Sequence, residues 1–262
     1  MIAVAQNRIA RPAAALLGRA GEMRGELARR TALARQEAPE GVRGPALPLL
    51  MGEVAALWPG NRRELKGYEA LRSRPVMVLP GFGAHPVRMR PMINSLSRAG
   101  HRAKDWGEGL NLGVSEDLME RLLDRLERRH AREGEPLSLV GWSLGGLIAR
   151  EMAKRAPNAV AQVITMGSPI SGNPRANNAW RLYQFVTGHT VDAPPVETEI
   201  AAKPPVPTYA LWSPRDGIIA PRAAKGLPGE RDQAIALRCR HLGFASDPEA
   251  VLAVLKVLDA DD

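Results

Sequence analysis

From residue 75 onward, short apolar runs alternate with helix-patterned stretches, and that rhythm restricts the fold more than any other feature of the chain. Val76–Leu79, Leu137–Val140, Val160–Met166, Tyr209–Trp212 and Ala234–Leu237 are too short for helices and largely apolar. Such runs predict strands buried on both faces. The stretches between them carry helix punctuation. Pro91–Arg98 has a proline at its first position and stops near Gly100. Ser115 is placed to cap a long helix, with Glu116 and Asp117 in its first turn and Gly134 at its end. Leu118, Leu122 and Leu126 give that helix an apolar stripe, widened by Met119 and Leu123. Leu144–Arg155 is a further helix, and the last one has Asp247 as cap and Pro248 at its first position. Strands alternating with helices predict an α/β fold with a mainly parallel sheet covered on both faces.

The rhythm breaks over residues 167–206, far longer than an ordinary connection. This stretch is expected to be a lid or cap insertion. Its one helical segment, Ala176–Thr187, carries Trp180, Leu182, Tyr183, Phe185 and Val186 before a proline-rich return. These side chains either pack on the domain or form an apolar lid over a pocket. Trp180, Tyr183 and Phe185, with Trp142 from the preceding strand region, are the candidate substrate contacts.

Composition narrows the partners. The chain has 262 residues, enough for one large α/β domain with its own core. The one cysteine, Cys239, excludes an internal disulfide and any zinc or iron–sulfur site built from clustered cysteines. No run approaches the length of a membrane span, and Arg19, Glu22 and Arg24 follow Ala13–Leu17 too closely for a signal peptide. A cytoplasmic location is therefore expected. The net charge of +8 is unevenly spread: residues 1–74 hold 13 Lys/Arg against 7 Asp/Glu, and the remainder is nearly balanced. This N-terminal extension reads as helical and irregular, with a loop around Pro39, Gly41, Gly44 and Pro48 and a short helix over Leu49–Trp58. Ile2, Val4, Ile9, Leu16, Leu17, Met23 and Leu27 are interleaved there with Arg8, Arg11, Arg19 and Arg24, which offers peripheral membrane contact as one role, although Pro12 interrupts the pattern. Nucleic acid is not an expected partner: there is no helix-turn-helix pattern, RNA-binding aromatic motif or zinc module.

The chemistry centres on Leu139-Val140-Gly141-Trp142-Ser143-Leu144-Gly145-Gly146, a strand, then Gly-x-Ser-x-Gly, then a helix. In that context the serine sits on a sharp strained turn, and the glycines remove side chains that would collide with it. Ser143 is the candidate nucleophile. A serine needs a base and an orienting acid, in the order serine, acid, histidine for this arrangement. Of the five histidines only His189 and His241 follow Ser143. His241 lies between the last strand and last helix and is preferred; His189 falls in the insertion. Asp216, in the turn Trp212-Ser213-Pro214-Arg215-Asp216-Gly217, is the preferred acid over Asp192 in the insertion and Asp232 before its strand. Negative charge developing on a substrate carbonyl needs two N–H donors. Leu144, after the nucleophile, and Phe82, in the loop Leu79-Pro80-Gly81-Phe82-Gly83, are the candidates.

Taken together, Pro80-Gly81-Phe82-Gly83, Gly141-Trp142-Ser143-Leu144-Gly145-Gly146, Asp216-Gly217 and His241-Leu242-Gly243 resemble the α/β-hydrolase superfamily, most closely its bacterial lipase and carboxylesterase-like members. The resemblance covers residues 75–258. It implies an α/β-hydrolase fold with about six strands, a catalytic domain over 75–262 with the lid at 167–206, and residues 1–74 as an extension. It also implies Ser143, Asp216 and His241 as a triad, Phe82 and Leu144 as the oxyanion hole, and an esterase-like reaction through an acyl-enzyme with no metal or organic cofactor. The expected substrate is a small-molecule or lipid-like ester with an apolar acyl or alcohol group. Acyltransferase or thioesterase chemistry uses the same triad, and a non-catalytic binder on this fold is the alternative of another class. Two departures stand out: Pro80-Gly81 replaces the His-Gly of many relatives, and the leading antiparallel strands are not evident.

Overall fold

A computed structural model describes residues 19, 21–56, 65 and 67–260 of the chain. Six strands, β1 (Pro75–Leu79), β2 (Arg102–Asp105), β3 (Leu137–Trp142), β4 (Val160–Met166), β5 (Thr208–Trp212) and β6 (Gln233–Ala236), form one sheet in the order β2-β1-β3-β4-β5-β6. Every pairing in it is parallel. Around it lie α1 (residues 21–34), α2 (Leu47–Ala56), α3 (Arg90–Arg98), α4 (Glu116–Glu133), α5 (Leu144–Arg155), α6 (Trp180–Thr187), α7 (Pro221–Lys225) and α8 (Pro248–Asp259). The expected helical stretch before residue 19, and Trp58-Pro59-Gly60 after α2, lie outside the described residues. No helix among the described residues is long and apolar enough to cross a membrane.

The strands are apolar on both sides because each side meets a helical layer. Val76 and Val78 of β1 with Val140 and Trp142 of β3 pack against α3 and α8, through Met92, Leu96, Val254 and Leu258. The intervening residues Met77, Leu79, Leu137 and Leu139 face the opposite layer, meeting Leu118, Leu122 and Leu126 of α4 and Ile148 and Met152 of α5. The two edge strands are the exceptions: β6 is half-exposed rather than buried on both faces, and no apolar run announces β2. Its sequence Arg-Ala-Lys-Asp is polar because it is an edge strand, paired only with β1 and half-exposed.

Local punctuation acts where the residue types place it. Ser115 Oγ accepts from Leu118 N–H at 3.2 Å, and Gly134 ends α4 at φ 73°. Asp247 accepts from Glu249 N–H at 2.8 Å ahead of Pro248. Arg129 of α4 is buried and donates from Nη1 to Val76 O at 2.9 Å and from Nη2 to Arg102 O, tying this helix to β1 and to the edge strand.

The order β2-β1-β3 places a topological switch point between β1 and β3, since β2 follows β1 outward and β3 returns to its other side. The crevice beyond the carboxyl ends of such strands is where ligands bind in open parallel sheets.

His101, between α3 and β2, is buried, and neither ring nitrogen has a hydrogen-bonding partner among the described residues. Burial holds its pKa below the ordinary histidine value; the Arg74 and Arg102 guanidiniums act in the same direction, against Asp259. The unfolded chain therefore takes up this proton more readily than the folded one. Stability associated with the neutral ring is full above about pH 6.5 and is lost as pH falls toward the folded value. His101→Leu is expected to lose less melting temperature than the wild type between about pH 7.5 and about pH 5.5. Equal losses in the two proteins would remove His101 as a source of acid sensitivity.

Candidate active site

Ser143 joins the end of β3 to the start of α5 with φ 54° and ψ −121°, the sole non-glycine residue at positive φ among those described. Its N–H donates to Met166 O at 2.8 Å, which ties the turn to β4. The flanking glycines are required by close approach. A Cβ on Gly141 would collide with the backbone of Gly145 and Gly146, and one on Gly145 would collide with the Leu79 and Pro80 carbonyls. The serine turn is thereby clamped between β3, α5 and the end of β1.

The loop after β1 lies directly against this turn. A Cβ on Gly81 would sit 3.2 Å from Ser143 Cβ. Among the described residues, neither Phe82 N–H nor Leu144 N–H donates to a protein acceptor. Asn111, fully buried, holds the loop from behind: its Nδ2 donates to Pro80 O at 2.8 Å and its carbonyl accepts from Gly83 N–H at 2.7 Å.

Asp216 and His241 come from the loops after β5 and β6 and meet in a buried pair. His241 Nδ1 lies 2.8 Å from Asp216 Oδ2, with the histidine only 3% exposed. The other carboxylate oxygen, Oδ1, accepts from Ile218 N–H at 2.8 Å and Ile219 N–H at 2.7 Å, which orients the acid. With Nδ1 engaged, Nε2 is the nitrogen left for a substrate-side proton. Trp142 Nε1 donates to His241 O at 3.1 Å, and the two rings lie 5.6 Å apart.

A pocket of about 130 Å³ opens at Ser143. Its apolar wall includes Met119, Leu147, Ile148, Val196 and Ile219, and Arg150, Glu151 and Lys154 of α5 also line it. Arg150 Nη1 donates to Glu230 O at 2.9 Å and Nη2 to Ala202 O at 3.1 Å, so it anchors the return from the insertion. Phe82 and Tyr183, both lining the pocket, lie with ring centroids 5.2 Å apart and planes tilted by 56°, and burial pushes the Tyr183 phenol pKa up.

The insertion forms one side of this pocket. Trp180 and Tyr183, three residues apart on α6, face inward and line it. Phe185 does not: it lies on the outer face of the same helix and is 38% exposed. Trp142 is not a lining residue either. Strand alternation turns it to the α8 side of the sheet, where it packs beneath His241. The rival triad candidates are remote from the pair. His189 is exposed after α6, Asp192 pairs with Arg175 at 2.6 Å, and Asp232 accepts from Thr208 N–H at the opposite edge of the sheet.

The N-terminal segment reaches both the insertion and the Asp216–His241 pair. Arg30 Nη1 donates to Val186 O at 2.6 Å and Arg29 Nη1 to Gly188 O at 3.0 Å, placing two cations at the carbonyl end of α6. Gln184 Nε2 donates to Leu33 O at 2.6 Å, and Arg175 Nη1 to Glu37 O at 2.9 Å. Glu53 of α2 is buried and accepts three N–H bonds, from Gly217 at 2.9 Å and His241 at 2.7 Å on Oε1, and from Leu242 at 3.0 Å on Oε2. Sequence reasoning missed Glu53 and Asn111. For Glu53 a signal existed: it is the lone charge in Leu47–Ala56. Asn111 sits in a loop without any pattern.

Residues 112–223 match a family model described as alpha/beta hydrolase fold. Over 144 residues the chain is 31% identical to a pimeloyl-[acyl-carrier protein] methyl ester esterase of Nitrosospira multiformis, covering 54% of this chain and 45% of that protein. A protein of the same name from Aliivibrio salmonicida is 33% identical over 113 residues, 40% of each chain. The chain thus spans less than half the length of these curated relatives. Among solved structures, the monoacylglycerol lipase of Paleococcus ferrophilus superposes with a TM-score of 0.52 at 18% identity, over 72% of this chain and 97% of that one. An α/β hydrolase from the metagenome of Mar Chica lagoon sediments gives 0.50 at 17% identity, over 78% and 99%. The sheet, the strained serine turn and these matches give the chain an α/β-hydrolase fold.

The guanidinium contacts on α6 have a measurable consequence. Two charge-assisted bonds tie α1 to the carbonyl end of α6. The double variant Arg29→Ala, Arg30→Ala is expected to be cleaved faster by a limiting protease around residues 180–195. Unchanged cleavage there would show that these arginines do not hold the lid.

Proposed function

We propose that the chain is a serine hydrolase that cleaves carboxylic esters bearing an apolar acyl or alcohol group, with Ser143, Asp216 and His241 as its triad. The observation that carries this reading is the buried Asp216–His241 pair, 2.8 Å apart, on the same sheet edge as the strained Ser143 turn. The apolar wall of the adjoining pocket and the naming of the curated relatives as esterases support it.

The steps follow from the placement of the groups. Ser143 Oγ attacks the ester carbonyl carbon while His241 Nε2 takes its proton; Asp216 stabilises the resulting imidazolium. The carbonyl oxygen becomes an oxyanion, and its stabilisation is assigned to the Phe82 and Leu144 N–H groups, neither of which donates to a protein acceptor among the described residues, with the N-terminus of α5 behind Leu144. Collapse breaks the bond to the alkoxy group, which leaves as an alcohol with the proton from His241. Water then attacks the acyl-enzyme, gives its proton to His241, and the carboxylic acid departs as Ser143 regains its hydrogen. Trp180 and Tyr183, which line the pocket, cover the apolar part of the substrate.

Ser143→Ala and His241→Ala are each expected to lower kcat on a short p-nitrophenyl ester by about 10³-fold or more, with His189→Ala near wild type. A fluorophosphonate should label the wild type and leave Ser143→Ala unlabelled. Wild-type hydrolysis by Ser143→Ala would overturn the assignment. Adding an alcohol to the same assay separates hydrolysis from acyl transfer.

A further inference from the structure

We propose that Glu53 is a positioning residue for the triad, and that helix α2 of the N-terminal extension is therefore a working part of the active site. This rests on the triad reading above and adds to it a group from outside the hydrolase domain.

The geometry is specific. Asp216 and His241 sit on separate loops, after β5 and after β6. Their side chains meet through one hydrogen bond, and the relative placement of the loops sets its length. Glu53 is a single rigid carboxylate bonded to both loops. Its Oε1 accepts from the N–H of Gly217, the residue after the acid, and from the N–H of His241 itself. Its Oε2 accepts from Leu242 N–H. Three N–H groups on two loops therefore converge on one carboxylate, and the helix that carries it fixes their separation.

The rest of α2 is built for this approach. Gly217 is the one residue type that admits it, because a Cβ there would collide with Leu49 O and come within 2.8 Å of Glu53 Cγ. On the helix, Gly52 lies against the guanidinium of Arg240, the residue before the histidine. The helix thus meets the Gly217 loop at backbone distance and the histidine loop through the Glu53 carboxylate, which is 2% exposed. A buried carboxylate is costly to desolvate, and N–H donors aimed at it offset that cost. Here those donors lie on the two loops that present the acid and the base.

A glutamine at the same position distinguishes this from simple packing. Its carbonyl oxygen can replace Oε1, but its NH₂ group would face the Leu242 N–H, donor against donor. The histidine loop should shift relative to Asp216 while the fold persists. The test uses the full chain as wild type, Glu53→Gln, Glu53→Asp and Ser143→Ala. Each is read for melting temperature, for kcat and KM on a p-nitrophenyl ester, and for the low-field ¹H signal of the Asp216–His241 proton. Folded Glu53→Gln is expected to show kcat lower by about 10- to 100-fold, KM nearly unchanged, and a shifted or broadened low-field signal. Wild-type kcat, a change confined to KM, or a fall in kcat with the signal unmoved would each overturn the proposal. If the glutamine variant does not fold, Glu53→Asp decides: it keeps the charge but withdraws the carboxylate by one methylene. Lower kcat with a native melt supports the proposal, and wild-type kcat overturns it. Ester hydrolysis by Ser143→Ala at the wild-type rate would instead show that the triad reading has failed, an outcome the Glu53 variants cannot mimic.

Discussion

The backbone at Ser143 is the constraint on which the rest of the site depends. A non-glycine residue at φ 54° and ψ −121° is strained by about 1–3 kcal/mol and persists only where its surroundings over-determine it. Here β3 is buried along its whole length, α5 packs on β3 and β4, and both meet the turn at backbone distance through Gly141 and Gly145. Neither element can relax without opening a core. The strain lifts the hydroxyl to the sheet edge and brings the start of α5 beneath it. The loop after β1 is drawn against the same turn because β1 and β3 are neighbours at the switch point.

Around that fixed point the remaining groups arrive from distant parts of the chain. Asp216 and His241 are 25 positions apart, and Glu53 is 188 positions from the histidine it contacts. The extension that carries Glu53 also grips the insertion through Arg29, Arg30 and the carbonyls of Leu33 and Glu37. Part of its basic excess is thus engaged within the molecule, at the carbonyl end of α6. One N-terminal segment therefore touches both the insertion and the loops that carry Asp216 and His241. The insertion and the Asp216–His241 pair share a mechanical support.

Several elements were legible in advance because their signals are local. Ser115, Gly134 and the pair Asp247-Pro248 mark helix ends through bonds or dihedrals that involve only near neighbours. The buried strands announce themselves because a strand covered on both faces can carry little polar content. β2 escapes notice for the converse reason: at the sheet edge it is half-wet, and Arg-Ala-Lys-Asp has no apolar pattern to read. Trp142 and Phe185 show a different gap. That each is aromatic and near the serine or in the insertion could be seen, but the face each presents depends on strand pleat and helix phase within the packed structure. Asn111 and Glu53 are harder still, since their partners are main-chain groups far away in sequence.

The amino-acid order alone determined the α/β alternation, the serine turn and the ranking of Asp216 and His241 over their rivals. Each of these is written in short-range chemistry: apolar runs, glycines that admit close approach, and caps at helix ends. Only the tertiary structure decided which aromatic groups line the pocket, what clasps the insertion, and that a carboxylate from the N-terminal segment joins the Asp216 and His241 loops. Those outcomes rest on which buried donors are brought within about 3 Å of which acceptors. Chain folding sets such distances, and no local pattern records them.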